Sequence, residues 1–198
     1  MSSTANAFSS AASNVWYGDI MRVQTSGASN QTARADGLTG SGAWASGEMA
    51  KHDLPCMRTY KTIIGNVARK HNVDPALIAA IISRETRGGA AISGTNGWGD
   101  GGNAFGLMQV DKNWHQPRGA WNSETHLDQA TEILVDMIRV VRGKFPGWSP
   151  EQHLKGAIAA YNMGERVLDY ADVDHITTGN DYSSDVVARA QFYKRNGF

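Results

Sequence analysis

The sequence predicts a mainly α (α+β) domain, in which a helical core carries a small antiparallel β-sheet. Several segments place apolar residues at helical spacing behind helix-capping residues. One interruption, residues 92–113, is instead rich in glycine and contains the turn signals Asn96-Gly97 and Asp100-Gly101. Because turns this close together leave room only for short strands, we expect the sheet to lie here.

The first half of the chain contains two predicted helical regions. Residues 47–71 have a helical pattern that contains Pro55, which predicts a break into two helices. Asp74-Pro75 then begins a well-marked helix, since aspartate caps free N–H groups and proline fits the first turn. We expect that helix to end at Gly88-Gly89. Its apolar face consists of Leu77, Ile78, Ile81 and Ile82.

The second half adds three predicted helices after one predicted strand. In the segment 107–111, strand alternation would put Gln109 and Asp111 on one face. A helix with a long apolar stripe follows Ser123, and the capping box that begins at Ser149 starts a helix that runs to about residue 161. The last predicted helix covers roughly residues 183–196.

Length and composition predict one domain and argue against several classes of partner. The 198 residues divide into a flexible segment, 1–14, and a single domain, 15–198. Lys+Arg and Asp+Glu balance at 19 each, so we expect neither nucleic acid nor a membrane as partner. Cys56 is the one cysteine, which excludes an intrachain disulfide. Residues 1–14 lack the pattern of a signal peptide, so we expect a cytoplasmic or non-classically secreted protein.

Glu85 is the most informative candidate for chemistry. It lies four residues after Ile81 and three after Ile82, on the apolar face of its helix. A carboxylate on a core-facing surface loses hydration, which raises its pKa and keeps a proton available to a general acid near neutral pH. The alternative is a residue at a frayed helix end that reaches solvent.

Two aspartates follow Glu85 in the glycine-rich region. Asp100 lies where the backbone can approach a ligand closely, and Asp111 ends the predicted strand. One acid facing carboxylates is what hydrolysis of a glycosidic bond requires. The alternatives are structural, since aspartate before glycine is usual in turns and Asp111 could cap a turn at Lys112.

These segments together resemble the signature of the goose-type lysozymes. The resemblance lies in Ile82-Ser83-Arg84-Glu85, in Asn96-Gly97-Trp98-Gly99-Asp100, and in Phe105 through Asp111. Ala160-Tyr161-Asn162 is similar to the family's sugar-binding motif, and the segment 185–191 to its C-terminal helix. The resemblance runs from about residue 14 to 198 and implies a lysozyme-like fold. Bacterial lytic transglycosylases share a shorter form of the pattern.

The resemblance implies a role for each matching residue. Glu85 would be the catalytic acid, and Asp100 and Asp111 would hold and activate the attacking water. Tyr161 and Asn162 would contact sugar. Three further candidates for sugar contact are His115, Gln109 and Tyr182. Core packing is the alternative for Tyr161, and an exposed loop position is the alternative for His115.

The chain also departs from the family pattern. Bird members carry two disulfides, and the matching positions here hold Trp16, Asn30, Ser41 and Asn72. After Tyr161-Asn162, a small Ala-Gly stretch is replaced by Met163-Gly164-Glu165-Arg166. The missing cysteines leave secretion in doubt, although the resemblance implies an extracellular protein. The altered segment predicts a different shape on one side of the cleft.

The main functional hypothesis is hydrolysis of the β-1,4 bond after N-acetylmuramic acid in bacterial peptidoglycan, by an inverting single displacement and in antibacterial defence. Chitin oligosaccharides are a second candidate substrate. One alternative is a lytic transglycosylase, which forms anhydro products, and another is a glycan-binding protein without activity. Since motifs for zinc and for phosphate are absent, we expect no metal and no cofactor. We expect a monomer.

Overall fold

A computed structural model describes residues 17–167 and 169–198. It confirms the mainly α class with a small antiparallel sheet. The helices are α1 (Asn30–Ala35), α2 (Gly42–His71), α3 (Pro75–Thr86), α4 (Glu124–Lys144), α5 (Pro150–Met163) and α6 (Tyr182–Arg195), and the strands are β1 (Trp98–Gly99), β2 (Ala104–Phe105) and β3 (Val110–Asp111). The predicted flexible segment, 1–14, lies outside the described residues. Within the described part, every helix is too short or too polar to cross a membrane.

The apolar core surrounds α3. Residues 76–83 of this helix are all buried, and α3 packs on α6 and α2, while α4 packs on α5. The Asp74 carboxylate accepts a hydrogen bond from the Ala76 N–H at 3.0 Å, which confirms the predicted cap. The alanines at positions 76, 79 and 80 let neighbouring helices approach closely. The catalytic candidate Glu85 therefore lies at the end of the most deeply buried helix.

The later helix starts are confirmed. The Ser123 and Ser149 side chains accept hydrogen bonds from the N–H groups of His126 and Gln152, and Ser149 has the full capping box. The last helix spans Tyr182–Arg195, within one residue of its predicted bounds at each end. Side-chain caps mark the starts at Ser123 and Ser149, whereas α6 begins after Asp181 without a side-chain cap.

The predicted break at Pro55 is wrong. Helix α2 continues from Gly42 to His71 with Pro55 inside it. Pro55 has no N–H, so the helical hydrogen bond to the Lys51 carbonyl is missing. Lys51 and Pro55 are both exposed, so water can bind to that carbonyl instead. Buried Asp53 and Met57 hold the helix to the core on either side of Pro55.

Helix α3 also ends earlier than predicted, because Arg87 takes the left-handed conformation before Gly88.

The three strands form an antiparallel sheet in the order β1-β2-β3. Gly99 pairs with Ala104, which pairs with Asp111, and the neighbouring rung joins Trp98, Phe105 and Val110. The prediction that Gln109 and Asp111 share a strand face is wrong. Gln109 has a φ of 53° and belongs to the turn before β3, so strand alternation does not reach it.

Candidate active site

Glu85 is one residue from the end of α3 and is partly shielded from solvent. Its Oε1 accepts a hydrogen bond from the hydroxyl of Tyr182 at 2.5 Å. Burial raises the pKa of Glu85 to about 7, although the Tyr182 hydroxyl and the Arg84 charge oppose that rise. The following residue, Thr86, is buried, so the helix end is not frayed. A carboxyl with this pKa is largely protonated below neutral pH, as a general acid must be.

Buried ion pairs hold the helix turn that carries Glu85. Arg84 Nη1 lies 2.6 Å from Asp185 Oδ2, and Arg84 Nη2 lies 2.9 Å from Asp181 Oδ1. Asp185 also binds Arg189, one turn further along α6. Since Arg84, Asp185 and Arg189 are nearly excluded from solvent, these contacts fix α3 against α6. Glu85, Tyr182 and these ion pairs are called the acid region below.

A second buried carboxylate extends the acid region to α2. Asp53 accepts a hydrogen bond from the Ser83 hydroxyl at 2.7 Å and pairs with Arg87 at 3.0 Å. Ser83 in turn accepts one from Arg189 at 2.9 Å. The residue just before Arg84 is thereby tied to both α2 and α6. The sequence analysis quoted Arg84 and the segment 185–191 only as parts of the family signature and did not predict these ion pairs. The local signal for them was the spacing of Asp185 and Arg189, which are one helical turn apart.

The turn before β3 is tied to three helices through its peptide groups. The Thr86 hydroxyl of α3 donates to the Leu107 carbonyl at 2.9 Å. The Tyr161 hydroxyl of α5 donates to the Met108 carbonyl at 2.7 Å. The Met108 N–H donates to Nε2 of His126 in α4 at 3.0 Å, and burial lowers the pKa of His126 to about 4. The sheet is therefore positioned directly against the helix end that carries Glu85.

The sheet brings the two candidate aspartates to one of its ends. Asp100 follows Gly99 directly, and Gly99 lies on the same rung as Asp111. Asp100 is exposed and has a φ of 48°, within a turn of three residues. Asp111 is half-buried, and its Oδ1 accepts hydrogen bonds from the backbone and side-chain nitrogens of Asn113 at 2.8 and 2.9 Å. Residues 98–115 are called the aspartate region below.

The polar side chains of Gln109, Asn162 and His115 differ in their hydrogen bonding and exposure. The Gln109 amide nitrogen donates to the Gly106 carbonyl at 3.0 Å, and its side chain lies so close to Gly99 that no Cβ would fit there. Asn162 exchanges hydrogen bonds with Thr178, one from its amide nitrogen and one to its amide oxygen. The His115 side chain is exposed.

The two tyrosines occupy different positions. Tyr182 is 1% exposed and presents only its hydroxyl to Glu85. Tyr161 is half-buried, packs against the core and keeps part of its surface open.

Within residues 17–167 and 169–198, no group of three His, Cys, Asp or Glu side chains is arranged to hold a metal ion.

Comparison with known proteins identifies the family. The family model described as Lysozyme g matches residues 17–197. The chain is 54% identical to Lysozyme G of Dromaius novaehollandiae, over 92% of this chain and 89% of that protein. It is 48% identical to Lysozyme g of Gallus gallus, over 92% of this chain and 86% of that protein. It is 46% identical to Lysozyme g-like protein 2 of Homo sapiens, over 92% of this chain and 82% of that protein. This chain belongs to the lysozyme g family of glycoside hydrolases.

Proposed function

We propose that this lysozyme hydrolyses the β-1,4 bond after N-acetylmuramic acid in peptidoglycan, with Glu85 as the general acid. The observation that carries the proposal is the Glu85 carboxyl, which is held by Tyr182 and has a pKa raised to about 7. Such a group can give its proton to the glycosidic oxygen as the bond to C1 breaks. We also propose antibacterial action, release to the exterior, and a monomeric enzyme without metal or cofactor.

Water completes the proposed reaction in a single displacement. It attacks C1 from the face opposite the leaving oxygen, while Asp100 and Asp111 orient it and one of them accepts its proton. Glu85 is left ionised and the aspartate protonated, and exchange with solvent restores both. Inversion requires space for this water, with the carboxyl groups roughly 6.5–9.5 Å apart. Asp100 comes from the turn after β1 and Asp111 from β3, rather than from α3, and this supports such a separation.

The contacts at the site suggest distinct roles for the remaining candidates. We propose that Tyr182 positions the Glu85 carboxyl rather than touching sugar, because its ring is buried. Tyr161 and Asn162 keep partly open surfaces at the end of α5 and are proposed to contact sugar. Gln109 and His115 belong to the aspartate region, so they are proposed to contact the sugar on that side.

Product analysis tests the proposal. The chain is incubated with purified peptidoglycan and with an N-acetylglucosamine hexamer, and the products are analysed by mass spectrometry. Hydrolysis adds the mass of water, a lytic transglycosylase leaves anhydro ends, and a binding protein leaves the substrate intact. We expect water addition, and either other result contradicts the proposal.

The anomeric configuration of the first product tests the displacement mechanism. Proton NMR of the hexamer reaction, read before mutarotation, should give an initial α anomer at the new reducing end. An initial β anomer would mean retention, which requires a carboxylate about 5 Å from the acid to attack the sugar directly.

A further inference from the structure

Trp114 differs from the other tryptophans that the structure describes. Trp98 packs on Phe105 with ring centroids 4.8 Å apart, and Trp148 stacks on Phe145 at 4.1 Å. Trp121 packs against the backbone of Gly97, and Trp44 covers Gly40. Trp114 is 81% exposed, against 56% for Trp44. Single exposed apolar residues are common on protein surfaces, so the place of Trp114 in the fold decides whether its exposure points to a ligand.

The backbone fixes Trp114 close to a candidate catalytic residue. Its N–H lies 3.2 Å from the Asp111 carbonyl, and the Asp111 carboxylate binds Asn113 within the same turn. A turn closed in this way keeps the two Cα atoms within about 7 Å of each other. The backbone between Asp111 and Trp114 therefore forms a hydrogen-bonded turn, while the indole is exposed. This arrangement presents an exposed aromatic ring within the aspartate region, close to Asp111.

We infer that Trp114 is a stacking platform for a sugar ring next to the scissile bond, on the Asp111 side of the site. The C–H face of an N-acetylhexosamine is apolar and flat enough to cover an indole, whose N–H can donate to a sugar oxygen. Trp98 is half-buried, with Phe105 packed on its ring and Lys112 Nζ 5.7 Å from its centroid, so less of its ring is open than that of Trp114. The inference rests on the proposed function, since it deepens the description of the same glycan site.

Binding to an inactive background tests the platform separately from catalysis. Glu85→Gln, with and without Trp114→Ala, is titrated with the N-acetylglucosamine hexamer by calorimetry. We expect Trp114→Ala to raise the dissociation constant about fivefold or more, as the loss of one stacked ring would. Trp114→Phe should restore most of the affinity, because it keeps an aromatic face. Trp44→Ala is the matched control and should leave binding unchanged, since it also removes an exposed tryptophan.

The outcomes separate this inference from the proposed function. If the unaltered chain cleaves glycan but Trp114→Ala binds the hexamer within twofold of its parent, the platform is refuted and the hydrolase proposal survives. If the chain fails to cleave but binds the hexamer in a Trp114-dependent way, hydrolysis is refuted and the platform survives. A chain that neither binds nor cleaves refutes both. Equal losses in Trp114→Ala and Trp44→Ala would also refute a site-specific platform.

Discussion

The acid region and the aspartate region hold their carboxylates in opposite ways. Glu85 lies in the last turn of a buried helix, and ion pairs fix this end of the helix to α2 and α6. Asp100 directly follows strand β1 and is exposed, and Asp111 ends strand β3 and is half-buried. The difference matches the two tasks proposed for these carboxylates. A proton donor needs a desolvated, fixed carboxyl, whereas groups that orient water must stay in contact with solvent.

Asp185→Asn should have the largest effect of the variants, and this effect should be a loss of stability. It removes one charge from a buried cluster and leaves Arg84 and Arg189 less compensated, at a cost of about 3 kcal/mol or more in free energy of unfolding. Urea denaturation measures this change. Asp136→Asn is the control, because its pair with Arg139 is exposed and should contribute less than about 1 kcal/mol. Equal effects would mean that the ion pairs do not hold the acid region.

Glu85→Gln should reduce hydrolysis by roughly 10²-fold or more, because the amide cannot donate a proton to the leaving oxygen. Clearing of a bacterial suspension measures the loss, and circular dichroism checks the fold. Near-normal lysis by folded variant would contradict the assignment of Glu85 as the acid.

The same variant should alter how stability depends on pH. Because the folded state raises the pKa of Glu85 to about 7 from 4.5, it holds the proton more tightly than the unfolded chain between these values. The stability that this group contributes is therefore present at low pH and lost as pH rises through about 7. At pH 8, Glu85→Gln should melt no lower than the unaltered chain.

The aspartates should show smaller, shared effects. Asp100→Asn or Asp111→Asn alone should reduce activity less than Glu85→Gln, and the double variant should lose more than either single variant. Two groups that orient one water can partly replace each other, while a nucleophile cannot be replaced. If one single variant abolished activity and the other had no effect, the shared role would be wrong.

Tyr182→Phe should have the smallest effect of the variants, and this effect should be a shift in the pH dependence of kcat/KM. The Tyr182 hydroxyl lowers the pKa of Glu85, so its removal raises that pKa further. Since Glu85 must be protonated to act, the alkaline limb of kcat/KM should move to higher pH. Tyr193→Phe is the control on the same helix, because its hydroxyl donates to the Ala50 carbonyl instead of to Glu85. A limb that stays in place, or moves to lower pH, would contradict the positioning role.

Local chemistry made much of the fold predictable. The caps at Asp74, Ser123 and Ser149 predicted three helix starts, and the paired turn signals predicted the sheet. Prediction failed where distant contacts override local preference. Pro55 lies in a helix that is held to the core on both sides of it, and Gln109 lies in a turn that three helices hold through its neighbours.

The candidate site was only partly visible in the sequence. Helical spacing identified Glu85 as a carboxyl near the core. The partners of that helix turn could not be predicted, because Asp53 and Asp185 lie 30 residues before Ser83 and 101 residues after Arg84. No local pattern links such positions. The Tyr182 contact with Glu85 spans 97 residues and is equally invisible to local reasoning.

The distance along the chain between Glu85 and its hydroxyl donor has a consequence for biosynthesis. Tyr182, Asp181 and Asp185 all lie at the start of α6, so they leave the ribosome long after α3 has been made. Until α6 docks, Glu85 lacks both the hydroxyl and the ion pairs that orient its helix turn. A nascent chain that stops before residue 181 therefore lacks the contacts that position the proposed acid, and the enzyme should become competent only as its last helix is added.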